Sequence, residues 1–199
     1  MHPWQDLAGI GAPVRVFLLS DLLHERFPSH DIKLAIFLNA FMLAPELRQA
    51  IQTKLQVANK TLAWLYAPAL FDAANTCSGT GPCVPDMVAA SELVGHRLSL
   101  NTTAASLSTT FETPPAGSQP SAAGCPPLPD TLVGTSYAGA ESWPHDLGLV
   151  SPWLSCNRPS NNNTAAWGVL GRYQNKQPSL CWSKSATQQF SSVFIGAPR

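Results

Sequence analysis

Two nearly continuous apolar runs, at residues 33–39 and 60–68, flank a segment in which apolar residues recur at helical spacing. Each run has the length of a strand and lacks the alternation of a half-exposed strand, which is typical of strands covered on both faces by helices. The segment between them begins near Pro45, a residue suited to the first helical turn, and carries an apolar stripe over residues 47–55. The pattern predicts a βαβ unit over residues 33–70 and a parallel sheet core.

The polar side of the predicted helix includes Arg48 and Gln56, and both are expected to face water. Asn59, directly before the second strand, is expected to adopt a left-handed conformation that ends the helical segment. A second helix is predicted later in the chain, with Val88 on its apolar face and its end at Gly95. Both helices are expected to pack on the sheet.

Further strands are predicted on either side of these units. Residues 13–19, Pro-Val-Arg-Val-Phe-Leu-Leu, have strand composition, and residues 97–100 follow the second helix as a short strand. Three runs near the end of the chain, at residues 167–173, 179–183 and 191–196, are separated by turn-rich segments. Because strands spaced so closely are most simply antiparallel, the sheet is predicted to be mixed and mainly parallel.

A low-complexity segment divides the chain. Residues 101–142 consist mainly of Ser, Thr, Ala, Pro and Gly and carry almost no charge. This composition predicts an insertion within a single α/β domain that spans residues 1–199. The chain stops directly after a strand, where an α/β domain normally continues with a helix, so we expect a fragment of something larger.

Charge is scarce in this protein. Lys+Arg and Asp+Glu both number 12, and charged residues make up 12% of the 199 residues, about half the usual share. Without a basic surface, binding to nucleic acid or to a membrane surface is not expected. No apolar stretch is long enough to span a bilayer, and the first residues lack the features of a signal peptide, so the compartment is not predicted.

Residues with reactive or metal-binding side chains form no recognisable motif. Five cysteines are an odd number, and Cys77 and Cys83, in one turn-rich loop, fit a small disulfide ring and two free thiols equally well. Cys77 has no basic neighbour to lower its pKa, which makes it a poor nucleophile. The histidines considered are His24, His30, His96 and His145. Their scattered spacing predicts surface or capping residues, with no metal site and no cofactor.

Asn39 and Tyr66 are the candidate ligand-binding residues, because both lie near the carboxyl ends of predicted parallel strands, where open α/β sheets bind ligands. The competing interpretation is favoured: Asn39 caps a turn and Tyr66 is a partly buried packing residue. Four tryptophans could stack on sugar rings: Trp64, Trp153, Trp167 and Trp182. Each lies in or beside an apolar run, which favours core packing. No pair of carboxylates is placed for glycoside hydrolysis, and no catalytic residue is predicted.

Several segments together carry a family resemblance. In the first half these are Gly11-Ala-Pro13, residues 16–21, Lys33 with residues 36–41, and residues 60–68. In the second half they are residues 92–95, 151–153, 169–173 and 192–198. These segments resemble the class I glutamine-amidotransferase-like domain of large bacterial-type glycoside hydrolases, and most closely the β-galactosidase trimerisation domain. The resemblance covers both ends of the chain and fails in residues 101–142.

The resemblance implies a flavodoxin-like α/β fold, a three-layer sandwich that is incomplete here at both ends. It implies a non-catalytic accessory or oligomerisation domain, with the catalytic (β/α) barrel of the parent enzyme and further copies of the chain as partners. The family pattern Tyr-Ala-Pro-Gly appears here as Tyr66-Ala-Pro-Ala69, so a residue that resists positive φ replaces a glycine that permits it. The alternatives are a degenerate amidotransferase-like hydrolase, acting through Cys77 or around Asn39 and Tyr66, and a sugar-binding module that uses tryptophan side chains.

Overall fold

The computed structural model describes residues 11–38, 40–72, 84–103, 105–106, 108–112, 136–138, 149–150, 153–158 and 164–196. Its first half contains two short 3-10 helices, Leu19–Leu23 and Ser29–Asp31, then β1 (Leu34–Phe37), β2 (Met42–Leu43), α1 (Pro45–Lys54), β3 (Thr61–Leu65), β4 (Phe71–Asp72), α2 (Met87–Val94) and β5 (Arg97–Asn101). Its second half contains β6 (Ala105–Ser106), β7 (Ser108–Phe111), β8 (Ser136–Ala138), β9 (Leu149–Val150), β10 (Trp153–Asn157), β11 (Thr164–Tyr173), β12 (Pro178–Ser185) and β13 (Ser191–Ile195).

Within the described residues, the main sheet has seven strands in the order β1-β3-β13-β12-β11-β7-β8. β1 and β13 both run parallel to β3, and the other neighbouring strands are antiparallel. An α/β-like fold with a mixed sheet, parallel at one end and antiparallel at the other, is therefore confirmed. The expectation of a mainly parallel sheet is wrong, because the predicted meander of β11, β12 and β13 is extended by β7 and β8.

The predicted βαβ unit is present as β1, α1 and β3. Ile51 on α1 is fully buried, as the helical spacing indicated. Asn59 has a φ of 63°, the left-handed conformation expected at the turn into β3. Gln56 departs from the prediction: it is only 4% exposed, and its side-chain amide donates a hydrogen bond to the carbonyl of Leu93 at 2.5 Å. This bond joins the end of α1 to α2.

The second helix also forms where the sequence predicts it. The Asp86 carboxylate accepts a hydrogen bond from the backbone N–H of Ala89 at 2.9 Å, and Gly95 ends the helix with a φ of 75°. Leu93 is 1% exposed, but Val88, predicted to lie on the apolar face, is 70% exposed. The strand predicted at residues 97–100 is β5.

The strand predicted at residues 13–19 is wrong. Residues 13–18 belong to no helix or strand and pair with no strand in the described ranges, Leu19 already belongs to a 3-10 helix, and Leu18 is 72% exposed. The chain then enters the 3-10 helix Leu19–Leu23, which the Lys54 ammonium anchors by donating to the carbonyls of Leu22 at 2.6 Å and His24 at 2.9 Å. Strand composition alone therefore did not produce a strand at these residues.

Parts of the predicted insertion, residues 101–142, contribute to the fold. β7 pairs with β11 and β8 pairs with β7, which adds two strands to the main sheet. Most of this stretch lies outside the described residues, so its division from a single surrounding domain remains a prediction.

The two faces of the main sheet are covered differently. Residues at the same level of neighbouring strands point to the same face, and one such row consists of Phe37, Trp64, Phe194 and Cys181. These side chains are at most 6% exposed, and the rings of Phe37 and Trp64 stack at 4.1 Å. They share one buried cluster with residues of α1 and α2.

The adjoining row points to the opposite face and consists of Ile36, Ala63, Val193 and Trp182. On this face a smaller buried cluster forms around Trp182 and Leu180 and contains no residue of α1 or α2. At its β1 end, Leu34 is 51% and Ile36 37% exposed. The prediction that helices cover both faces of β1 is therefore wrong for the described residues, in which helices cover one face.

Candidate functional site

Tyr66 lies directly after β3, at the carboxyl edge where the sequence predicts a ligand site. Its backbone N–H donates to the carbonyl of Ile195 at 2.7 Å, and its ring packs edge-on against Phe41 with centroids 5.8 Å apart. The side chain is half-buried. Asn39, the other candidate, lies outside the described residues, so the site at these two residues remains a prediction.

The turn after β3 contains two non-glycine residues with positive φ. Tyr66 has a φ of 63° and Ala69 a φ of 53°. Each costs about 1–2 kcal/mol relative to a right-handed conformation, because the Cβ atom crowds the following carbonyl. Ala69 is fully buried, and its N–H donates to the carbonyl of Ala40 at 2.6 Å. The turn therefore places Ala69 in the left-handed conformation that glycine adopts most readily.

The Arg48 side chain donates hydrogen bonds to backbone carbonyls of this turn and of the neighbouring β2. Its Nη2 atom donates to the carbonyl of Ala69 at 2.9 Å, and its Nε atom donates to the carbonyl of Leu43 at 3.3 Å. The prediction that Arg48 faces water is wrong, because the side chain crosses from α1 to the strained backbone. Its Nη1 atom is buried without a hydrogen-bond partner in the described structure. The strained backbone at Ala69 is thus stabilised by the charged side chain of Arg48, which donates a hydrogen bond to the Ala69 carbonyl.

Two phenols lie near each other behind this edge. The Tyr173 hydroxyl donates to the carbonyl of Leu154 at 2.9 Å. Burial raises the pKa of Tyr66, and burial, with a smaller contribution from Tyr66, strongly raises the pKa of Tyr173. A phenol with a raised pKa stays neutral near pH 7, so neither side chain is prepared to act as a base or a nucleophile.

Gly196 closes the space around Tyr173. A Cβ atom at this position would lie 2.4 Å from the Tyr173 hydroxyl and 2.6 Å from the carbonyl of Leu154. Only glycine fits there, so the backbone after β13 approaches the phenol directly. The carboxyl edge is therefore a tightly packed structure at β3 and β13.

His96 is the buried polar residue that sequence reasoning missed, since it is 1% exposed where a surface residue was expected. Its Nε2 atom lies 3.3 Å from the carbonyl of Ser192 and 3.4 Å from the hydroxyl of Ser183. Because a carbonyl can only accept, Nε2 carries the proton and donates. The Nδ1 atom is buried without a partner among the described residues. Burial lowers the pKa of His96 to about 4, partly opposed by the hydrogen bond to Ser192.

Trp64 extends the same polar network across the sheet. Its indole N–H donates to the hydroxyl of Ser192 at 3.1 Å, and that hydroxyl donates in turn to the carbonyl of Val94. The Ser183 hydroxyl donates to the carbonyl of Gly95 at 3.2 Å. These bonds fix the end of α2 on β12 and β13, which is a structural role.

A polar groove of about 350 Å³ lies at the opposite edge of the sheet, where β3 and β13 begin. It is bounded by the end of α1, the end of α2 and the turn between β12 and β13. Its lining includes Gln52, Gln56, Glu92, Ser183 and Gln188. The rule that ligands bind at the carboxyl ends of parallel strands directs attention away from this edge, and no motif in the sequence signals it.

A disulfide links Cys156 on β10 to Cys181 on β12, with Cα atoms 6.2 Å apart. The sequence did not predict this pair. Cys77 and Cys83 lie outside the described residues, so their pairing and the reactivity of Cys77 remain untested. No cluster of potential metal ligands occurs within the described ranges, and no helix there is long and apolar enough to cross a membrane.

The tryptophans considered for sugar stacking are mostly interior. Trp64 is fully buried and Trp182 is 3% exposed, so the core-packing interpretation is confirmed for both. Trp167 is partly buried and packs against the main cluster. The side chain of Trp153 lies outside the described part of the structure.

Comparison with known proteins shows distant likenesses to solved structures alone. No protein-family model matches the chain, and no curated protein matches it. Among solved structures, a β-galactosidase from Bacillus circulans sp. alkalophilus is similar with a TM-score of 0.45 and 12% sequence identity, over 84% of this chain and 20% of that enzyme. The chain thus spans about a fifth of the length of that β-galactosidase. A likeness this distant does not single out the trimerisation domain and supports no argument about function.

Proposed function

We propose that the chain is a non-catalytic accessory or oligomerisation domain of a β-galactosidase-like glycoside hydrolase. The observation that supports this proposal is the sheet face carrying Leu34 and Ile36, which are 51% and 37% exposed and lie under no described helix. β1 is also an edge of the main sheet, so its outer backbone groups have no strand partner within the described ranges. Apolar side chains at an open sheet edge favour docking of another polypeptide surface.

The finer fold assignment belongs to the same proposal. A flavodoxin-like three-layer sandwich has helices on both faces of its sheet, whereas α1 and α2 both pack into the cluster on one face. We infer that the opposite face at β1 is covered in the assembled protein. The occupants that fit the proposal are the catalytic (β/α) barrel of the parent enzyme and a second copy of this chain.

The hydrolase alternative has less support at the residues that can be placed. An amidotransferase-like mechanism needs an activated nucleophile at the turn after a parallel strand. Tyr66 occupies the turn after β3, and burial raises its pKa, which opposes formation of the reactive phenolate. Labelling the chain with a thiol-reactive probe tests Cys77 directly: a hyper-reactive cysteine together with turnover of an amide or glycoside would favour the hydrolase.

The assembly role is tested by light scattering of the chain, alone and mixed with the catalytic barrel of a β-galactosidase. We expect a mass above 21.3 kDa for the chain alone, or a mass above that of the free barrel in the mixture. Ile36→Lys is expected to abolish this association, because it places a charge on the proposed contact face. Val88→Lys is the matched control, since Val88 is 70% exposed on α2, away from β1. A strict monomer in both samples, or equal effects of the two variants, would contradict the proposal.

A further inference from the structure

The polar groove at the amino edge of β3 and β13 has the composition of a binding site for an uncharged ligand. Among the described residues, its lining combines amide and hydroxyl side chains with a single carboxylate, Glu92, and contains no lysine or arginine. A phosphate or nucleotide would meet no cation there, and an apolar ligand would desolvate many polar groups without compensation. The lining thus excludes two common classes of ligand.

Several lining side chains are held in place by the protein itself. Gln56 donates its amide to the carbonyl of Leu93, and the Ser183 hydroxyl donates to the carbonyl of Gly95 at 3.2 Å. The Ser185 hydroxyl accepts from the backbone N–H of Gln188 at 3.1 Å. A ligand therefore meets groups whose conformational entropy has largely been lost on folding.

Other lining groups remain available. The side chains of Gln52, Glu92 and Gln188 form no hydrogen bond within the described part of the chain. Gln52, Glu92 and Gln188 are all exposed. Amides both donate and accept, and a carboxylate accepts, so the three groups together match a ligand that presents several hydroxyls.

The small exposed aromatic surface and the small volume of the groove limit its affinity for a ligand. Phe190 lines the groove but is 6% exposed, so it offers little aromatic surface for stacking on a sugar ring. A volume of about 350 Å³ lies at the small end of ligand pockets, which suits one or two rings. Binding through solvent-competed hydrogen bonds is expected to be weak, with a Kd of about 1 mM.

We propose that this groove binds a neutral polyhydroxylated ligand, a mono- or oligosaccharide. The proposal is independent of the assembly role and of the tryptophan stacking considered from the sequence. It places the contacts on Gln52, Glu92 and Gln188, at the opposite edge of the sheet from Tyr66.

Titration of the isotopically labelled chain with galactose, lactose and cellobiose, followed by backbone amide chemical shifts, tests the site. We expect saturable shifts at Ser183, Ser185 and Gln188 with at least one sugar at up to about 10 mM, and none with inorganic phosphate. If the disaccharides bind more tightly than galactose in this titration, the preferred ligand is an oligosaccharide. The absence of shifts with all three sugars, or shifts with phosphate at the same residues, would overturn the proposal.

Matched variants locate the contact. Gln52→Ala and Glu92→Gln are each expected to weaken binding about fivefold, because each removes one hydrogen bond or its charge assistance. Gln49→Ala is the control: it is the same change on the same helix, at an exposed residue outside the lining. Equal weakening by Gln52→Ala and Gln49→Ala would place the binding elsewhere. Because Leu34 and Ile36 lie at a different part of the sheet, Ile36→Lys is expected to leave sugar binding unchanged.

Discussion

The parallel strands β1, β3 and β13 and the antiparallel strands β11 and β12 belong to one sheet but are held by different interactions. On the parallel side, Trp64 stacks on Phe37 at 4.1 Å and lies in a cluster shared with two helices. On the antiparallel side, the Cys156–Cys181 disulfide fixes β10 against β12. Continuous apolar runs can build a core by burial alone, whereas the strand-rich side adds a covalent link.

Trp64→Ala is expected to have the largest effect, a loss of about 3–5 kcal/mol in the free energy of unfolding, because it empties the centre of the main cluster. Trp182→Ala removes the same side chain from the smaller cluster on the other face, where Trp182 is 3% exposed. We expect a smaller loss there. Urea denaturation of both variants measures the difference, and equal losses would show that the two faces contribute alike.

Removal of the disulfide should follow in size. The double variant Cys156→Ala with Cys181→Ala opens a loop with a sequence separation of 25, which corresponds to a loss of about 3.5 kcal/mol in the chain-entropy model. The wild-type chain should lose a similar amount in reducing agent, measured by urea denaturation. The double variant should not respond to the same reductant. A response as large as that of the wild type would assign the covalent stabilisation to the other cysteines.

His96 lies where α2 meets both sides of the sheet, and it should make stability depend on pH. Its pKa is lowered to about 4 by burial, from 6.5 in the unfolded chain. Between pH 6.5 and 4, His96 is therefore mostly protonated in the unfolded chain and mostly neutral in the folded chain. Stability is fully present above pH 6.5 and should fall by about 3 kcal/mol as the pH drops towards 4.

Denaturation midpoints across this pH range check the His96 prediction. His96→Asn should lower stability at pH 7 but flatten the decline between pH 6.5 and 4. His30→Gln is the control, because the His30 side chain is 82% exposed. If both variants kept the wild-type slope, the decline would have to come from other titrating groups.

Gly196 joins the two sides, since it follows β13 and touches Tyr173 of β11. Gly196→Ala is expected to cost about 1–3 kcal/mol, because the new Cβ would lie 2.4 Å from the Tyr173 hydroxyl. Combining it with Tyr173→Phe should recover part of that loss, although the carbonyl of Leu154 remains 2.6 Å away. Thermal unfolding of the single and double variants measures this coupling. Strictly additive losses would mean that the two residues do not compete for space.

The same contrast explains what could be predicted. The βαβ unit followed from local patterns, because Ile51 and the apolar strands report burial directly through their spacing. The Cys156–Cys181 pair and the buried His96 depend on strands that meet across long separations, which no local pattern encodes. The segment containing Leu18 had strand composition but pairs with no strand among the described residues. For the candidate site, the position of Tyr66 at a strand end was predictable, whereas the polar groove depends on three elements meeting at the other edge.

The smallest predicted effect concerns the strained turn after β3, where two buried alanines differ only in backbone conformation. Ala69 has a φ of 53°, whereas Ala67 has no positive φ, and the two are 0% and 4% exposed. Glycine at either position loses a buried methyl group and gains unfolded-state entropy, but only Ala69→Gly also relieves about 1–2 kcal/mol of left-handed strain. We therefore expect Ala69→Gly to be nearly neutral and Ala67→Gly to be less stable by about 1–2 kcal/mol, as measured by thermal unfolding. Equal losses would mean that Arg48 and the surrounding packing, rather than the φ of Ala69, determine the energy of this edge.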